Sequence, residues 1–382
     1  MTEPSRIAHG MGLQPVQADW PALSQADVED VLQHFPRIGA VEPLHWHSPR
    51  PFSAAAQVRT QQGELFVKRH HRSVRQPAWL LEEHRFVQYL KQRGAPVVTP
   101  LLDRNDSSVV ALGEWTYEVL PLAQGRDLYR DALSWTPFLT LQHAHAAGAA
   151  LARLHQAAEG FAAPARRTPV LVANLRLLGD NAPLASIENA LAQRPALGHY
   201  LAGKDWQQAL GELYLPHHRA LLPLLKHQPA LWTHNDWHAS NLLWTEPGSK
   251  EQVQSILDFG LSDLTFALFD LATAVERNCI PWLELDTGGR AAADLDAVDA
   301  LLAGYHSQRP LTHADLLTLK ALLPLVHVDF ALAEIDYFQG IVESRSNADI
   351  AYHQFLIGHG QWFGDSEGVR LLGHLDRIAR TR

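Results

Sequence analysis

The chain has 382 residues, more than one ordinary domain, and 46% of them are hydrophobic, so two lobes or two domains with a sizeable core are expected. Thirty-two basic against 41 acidic residues give a formal charge of -9, which argues against a nucleic-acid-binding surface and leaves only local basic patches to meet phosphate. A single cysteine, Cys279, excludes an internal disulfide, and no stretch has the apolar length of a signal peptide or a membrane span, so a cytoplasmic protein with no membrane partner is expected.

The first helical pattern falls at about 24–35, where Ser24 stands at a capping position and Val28, Val31 and Leu32 recur at helical spacing. Alternation over Ala54–Thr60 and Glu64–Lys68, around a turn at Gln61-Gln62-Gly63, predicts a hairpin ending in Lys68. The loop before it, Ser48-Pro-Arg-Pro-Phe-Ser53, has no glycine, whereas phosphate cradles use glycine so that backbone amides approach oxygen closely; Ser48, Arg50 and Ser53 offer side chains instead. A helix is expected from Pro77 to Gly94, with Trp79, Leu80, Phe86, Val87 and Leu90 on its apolar face. Glu83 falls at the centre of that face and Glu82 a quarter-turn away. A carboxylate facing inward needs a partner, and Lys68 on the neighbouring strand is the candidate for Glu83.

Val109–Leu112 and Trp115–Leu120 read as two further strands joined at Gly113. The segment Glu118-Val-Leu-Pro121 reads equally as a plain strand end and as a hinge whose backbone at Glu118 and Leu120 meets an adenine edge. A packing helix is expected over 141–158, where His155 lies on the buried face either as a hydrogen-bonded core residue or as a support for a functional loop. The Pro/Ala-rich stretch 161–170 has the composition of a surface connection, and 173–230 reads as helices broken at prolines.

The chemistry concentrates in 231–260. Asp236 is followed five positions later by Asn241, then by an apolar run, a polar turn at 246–250, a second apolar run Val253–Leu257, and Asp258-Phe259-Gly260. Phosphoryl transfer uses an acid to accept the proton of the attacking hydroxyl, with an amide and a second acid to hold magnesium against the phosphates. Asp236, Asn241 and Asp258 fit those three roles, and a hairpin would set the two metal ligands side by side. A hydrolase metal site at His234-x-Asp236-x-His238 is the competing assignment, and it leaves Asn241 and Asp258 unexplained.

The run His234-Asn-Asp236-Trp-His238-Ala-Ser-Asn241 resembles the catalytic loop of the aminoglycoside phosphotransferase and choline kinase-like superfamily. That resemblance implies an α+β, two-lobed protein kinase-like fold: a small N-terminal antiparallel sheet lobe with one helix over 1–120 and a larger, mainly helical C-terminal lobe over 121–382. It implies transfer of the ATP γ-phosphoryl group, with Mg2+, to a hydroxyl of a small-molecule acceptor. It casts Asp236 as the base, Asn241 and Asp258 as magnesium ligands, Lys68 paired to Glu83 at the phosphates, and Glu118 and Leu120 as the hinge. An acid at Asp270 would brace the catalytic loop from below. Leu81-Glu-Glu-His84-Arg-Phe86 looks like the matching helix of a bacterial stress-response kinase of the same superfamily, which keeps a Ser/Thr protein kinase open; the glycine-free loop keeps open a non-catalytic nucleotide-binding regulator.

The helix expected from about Pro324 is apolar almost all round yet carries His327 and Glu334 on one stripe and Asp329 and Asp336 on the opposite one. Either pair lines an acceptor pocket or turns to the surface, with Trp282 and Trp362 as candidate apolar walls. Asp236, Asp258, Asp263 and Asp270 together lead to the expectation of a cationic amine on the acceptor.

Overall fold

The computed structural model describes residues 7–9, 12–13, 15–36, 38–246, 248 and 251–381. Its small lobe is built on a five-stranded antiparallel sheet in the order Trp46–His47, Ala54–Thr60, Gly63–His71, Trp115–Pro121 and Val110–Leu112. The register sets Ala55, Lys68 and Glu118 side by side across three strands, so period 2 divides the sheet into two faces. Leu65, Val67, Val119 and Val58 face outward onto Val28, Val31 and Leu32 of the helix Gln25–Leu32, which Ser24 and Asp27 close with a reciprocal capping box. Phe66, Lys68, Glu118 and Leu120 occupy the other face, toward the cleft. The helix Pro77–Gln92 buries Phe86, Val87 and Leu90 in the core of the large lobe rather than in that of the sheet, and Phe86 packs on Trp232 and Phe259. One helix thereby ties the two lobes together.

The large lobe is helical around a few short strands. Leu141–Ala158 lies against Leu295–Gln308 at unusually close range. Both contact points are glycines, and a Cβ at Gly148 would overlap the carbonyl of Leu301, one at Gly304 the carbonyl of His145. The expected proline-broken helices appear as Pro183–Leu191, Pro195–Leu201 and Trp206–Leu225. The late helix Val328–Tyr337 is buried all round, so its ionisable residues are not surface charge. Among the described residues no helix is long and apolar enough to cross a membrane.

Candidate active site

The loop 234–241 leaves the strand Leu231–Thr233 and returns through the strand Leu242–Trp244, which pairs with Val253–Ile256 to form the expected hairpin. Its sharp entry puts Asn235 at φ 62°, a left-handed conformation that asparagine tolerates better than most residues. Asp270, fully buried on the helix Ala267–Cys279, accepts hydrogen bonds from the backbone of His234 (2.8 Å) and Asn235 (2.9 Å), which offsets the exposed amides of that turn. His155 lies 3.1 Å from Asp270 through Nε2 and 2.8 Å from the Tyr305 hydroxyl through Nδ1. His155 is therefore a core residue and a support for the loop at once, acting through Asp270.

Asn241 donates through Nδ2 to the Asp236 carbonyl (3.0 Å) and to Asp236 Oδ2 (3.1 Å), which orients the carboxylate and turns the amide oxygen of Asn241 away from it. Burial alone would push the Asp236 carboxyl up, but His238, Arg277 and His234 outweigh it and hold Asp236 well below the ordinary carboxylate range. The Arg277 guanidinium, through Nη1, and the His238 imidazole, through Nε2, each lie 3.5 Å from a carboxylate oxygen, and burial outweighs Asp236 to push His238 below its ordinary value.

Across the cleft, Lys68 Nζ donates to Asp258 Oδ1 at 3.2 Å. Burial would lower the lysine, but Asp258, Glu118 and Glu83 outweigh it and raise Lys68 above its usual value; in return Lys68 outweighs burial to lower Asp258. Asp258 takes φ 53°, and its Oδ1 also accepts from Gly260 N at 3.2 Å, leaving Oδ2 without a donor among the described residues. Two buried arginines reach the Gly260 carbonyl, Arg75 at 3.0 Å and Arg166 at 2.8 Å, and so clamp the turn that carries Asp258.

Arg166 corrects two expectations. The stretch 161–170 is not a plain surface connection, because Arg166 is buried. Its Nη2 lies 3.2 Å from Glu83 Oε2, so Glu83 pairs with Arg166 while Lys68 pairs with Asp258. The inward carboxylate did need a cation, but a distant loop supplies it. Glu82 is held likewise by Arg167 at 2.6 Å. The buried Glu118 carboxylate meets His70 Nε2 (3.1 Å) and His84 Nε2 (3.0 Å), and the next carbonyl, that of Val119, is taken by Leu101 N at 2.7 Å. On the cleft-side face of the sheet, the Glu118 side chain is thus enclosed by these histidines and does not line the cavity. Leu120 stays half-buried on the cleft-side face, in register with Phe66.

One cavity brings Lys68, Asp236, Asn241 and Asp258 together with Arg50 and Ser53 of the glycine-free loop. Arg50 is anchored to Ser134 Oγ at 2.7 Å. The Asn241 amide oxygen and Asp258 Oδ2 have no hydrogen-bond donor among the described residues, and both residues line the cavity, so an oxygen-seeking cation such as Mg2+ fits this pair. The cavity continues to Trp135, Arg277, Leu283, Phe330, Glu334 and Phe355. Arg277 lies 5.0 Å from the Trp135 ring and 5.3 Å from that of Phe330, with Nε 3.2 Å from Glu276. Glu334 is buried and makes no hydrogen bond or ion pair within the described residues.

Of the late-helix pairs, Glu334 alone reaches the cavity. Asp329 accepts from Leu177 N at 2.9 Å and Asp336 pairs with Arg194 at 2.9 Å, so both serve packing. Asp263 and Asp270 are fully buried and held by backbone amides, and they add no charge to the cleft. Trp282 stacks on His359, and Trp362 donates to the Arg290 carbonyl; neither walls the cavity. Sequence reasoning missed Arg75, Arg166, Trp135 and Arg277. Only Arg277 left a local signal, since it stands seven residues after Asp270 on the same helix and so faces the same loop.

The profile of the phosphotransferase enzyme family matches residues 51–311. Among curated proteins, an uncharacterized protein of Synechocystis sp. is 26% identical over 284 residues, 72% of this chain and 68% of that one. The homoserine kinase of Janthinobacterium sp. (strain Marseille) is 27% identical over 233 residues, 60% of this chain and 61% of the relative. Among solved structures, a microcompartment-associated aminopropanol kinase superposes with TM-score 0.62 at 18% identity, covering 91% of this chain and 99% of that one. The amicoumacin kinase in complex with AMP-PNP, Ca2+ and its ligand gives 0.56 at 15% identity, covering 88% and 93%. Likeness at such identity shows a shared kinase-like α+β fold.

Proposed function

The chain belongs to the phosphotransferase enzyme family and is a kinase-type phosphotransferase of small molecules; from that premise we propose that it moves the γ-phosphoryl group of ATP to a hydroxyl of a small, amine-bearing acceptor, with Mg2+ as the metal. The observation that carries this is the meeting of Asp236 and Asn241, from one loop, with the Lys68–Asp258 pair in a single cavity. Asp236 accepts the acceptor's proton as the new oxygen–phosphorus bond forms and the bond to ADP breaks. Arg277 and His238 keep it ionised and so ready for that task. Asn241 and Asp258 hold Mg2+, which supplies neutralising charge to the phosphates. Lys68 reaches the phosphates from the sheet, while Phe66 and Leu120 give the adenine an apolar wall. We assign residues 1–120 to the nucleotide lobe and 121–382 to the catalytic and acceptor lobe, and the lone buried cysteine suits the cytoplasm.

The amine follows from Glu334. Arg277 is already committed to Asp236 and Glu276, which leaves Glu334 as the carboxyl open to a ligand, and the aromatic rings of Phe330 and Phe355 line the same end. The names of two relatives, a homoserine kinase and an aminopropanol kinase, accord with an amine-bearing alcohol. ADP release with amino alcohols, neutral sugars and sugar phosphates tests the assignment. Turnover confined to neutral or anionic acceptors would refute the amine and leave phosphoryl transfer standing.

A further inference from the structure

Behind the acceptor end of the cavity three buried side chains converge from separate segments: Glu276 of Ala267–Cys279, His327 just before Val328–Tyr337, and His359 at the start of His359–Gly364. One carboxylate oxygen and one nitrogen of each imidazole all lie within 4.8 Å of one another. His359 Nδ1 is 3.6 Å from Glu276 Oε1. Among the described residues, neither His327 Nδ1 nor His359 Nδ1 has a hydrogen-bond partner.

The tautomer of His327 follows from its neighbour. The Tyr214 hydroxyl touches both the Leu356 carbonyl and His327 Nε2, the latter at 3.0 Å. A carbonyl can only accept, so Tyr214 gives its one proton to Leu356, and His327 Nε2 must carry a hydrogen and donate to the tyrosine oxygen. His327 Nδ1 is then a bare lone pair in the protein interior. Trp282 fixes the other ring by stacking on His359 at 3.7 Å and 9°. Arg277 Nε holds Glu276 Oε2, leaving Oε1 as the oxygen nearest His359.

We propose that Glu276, His327 and His359 form a site for a divalent transition metal, and that zinc is the ion it takes. Two imidazoles and a carboxylate make a nitrogen-rich ligand set that suits zinc and differs from the all-oxygen pair at Asn241 and Asp258. Zinc bonds of about 2 Å in a tetrahedron set neighbouring ligand atoms about 3.4 Å apart, so Glu276 and His359 stand near that spacing already. The tyrosine behind His327 and the guanidinium behind Glu276 are the outer partners that orient metal ligands. Charge agrees: two buried carboxyl groups, Glu276 and Glu334, and the half-buried Asp236 surround the guanidinium of Arg277. Because Arg277 bridges Glu276 and Asp236, the metal would fix Arg277 and through it the base, which makes Glu276, His327 and His359 positioning residues.

The test uses the untagged full-length protein, stripped with chelator and titrated with Zn2+ and with Co2+. About one zinc per chain, a rise in Tm on stoichiometric zinc, and the visible bands of tetrahedral Co2+ are expected. Binding should persist in Asp258→Ala and weaken about tenfold or more in His359→Gln and, independently, in His327→Gln. No stoichiometric binding by the wild-type chain would overturn the proposal even if neither histidine variant folded. So would binding that survives both histidine substitutions, or binding lost in Asp258→Ala, which would place the ion at the nucleotide site.

Discussion

Asp236 and Asn241 stand five positions apart on one loop and Asp258 follows a short hairpin later, whereas the far end of the same cavity draws on Trp135, Arg277, the late helix with Phe330 and Glu334, and Phe355. At the first end the charged groups are paired: Lys68 with Asp258, Asn241 with Asp236. At the second, Glu334 has no hydrogen-bond or ion-pair partner among the described residues and burial pushes it up to about 8. A constellation carried on one hairpin keeps its spacing through local backbone geometry and can be complete before a ligand arrives. One gathered from remote helices keeps its geometry through packing, and on the proposed function its carboxyl is what selects the acceptor.

The largest effect is expected at the hairpin end. Asp258→Ala should bring ADP release below detection at every magnesium concentration, since it removes both the proposed metal ligand and the partner of Lys68. Activity restored by excess magnesium would show that Asn241 alone suffices. Asp236→Asn should lower turnover by roughly 10²–10⁴-fold with nucleotide affinity little changed; unchanged turnover would remove Asp236 from proton transfer.

Asp270→Asn replaces an acceptor of two backbone amides with a group that presents a donor to one of them. A loss of about 1–3 kcal/mol in urea unfolding is expected, together with reduced turnover. Undiminished stability would mean that the loop holds its shape without the brace, and the contrast between local and packed geometry would weaken.

At the packed end, Glu334→Gln should raise the KM of an amine acceptor about tenfold while leaving that of ATP unchanged. Because the group's pKa lies above its ordinary value, it is largely protonated at neutral pH and gains charge as pH rises through about 8, so the wild-type acceptor KM should fall across that range and the variant's should not. For folding the sign is reversed. The folded state holds this proton more tightly than the unfolded chain, whose carboxyl sits near 4.5, so the stabilisation is full below 4.5 and is lost as pH rises through about 8. Glu83→Gln is the mildest change. With Arg166 rather than Lys68 as its partner, it should cost stability and only a few-fold in the KM of ATP; a loss as large as that from Lys68→Ala would restore a functional Lys68–Glu83 pair.

The amino-acid sequence by itself determined the elements whose information is local. Ala54–Thr60 and Leu141–Ala158 appear with the bounds that alternation and helical recurrence predict, Ser24 caps its helix, and the spacing of Asp236, Asn241 and Asp258 survives because a hairpin converts sequence distance directly into spatial distance. Tertiary structure alone decided the partners. An inward glutamate announces that it needs a cation but not which one, and Glu83 found Arg166 where Lys68 was expected. The Glu118 carboxylate was taken up by His70 and His84, while Asp329 and Glu334, five positions apart on one helix, went to a backbone amide and to the cavity respectively. Pairing energies act over a few ångströms, and which charges come within that range is set by how helices far apart in the chain pack, which no spacing along the chain records.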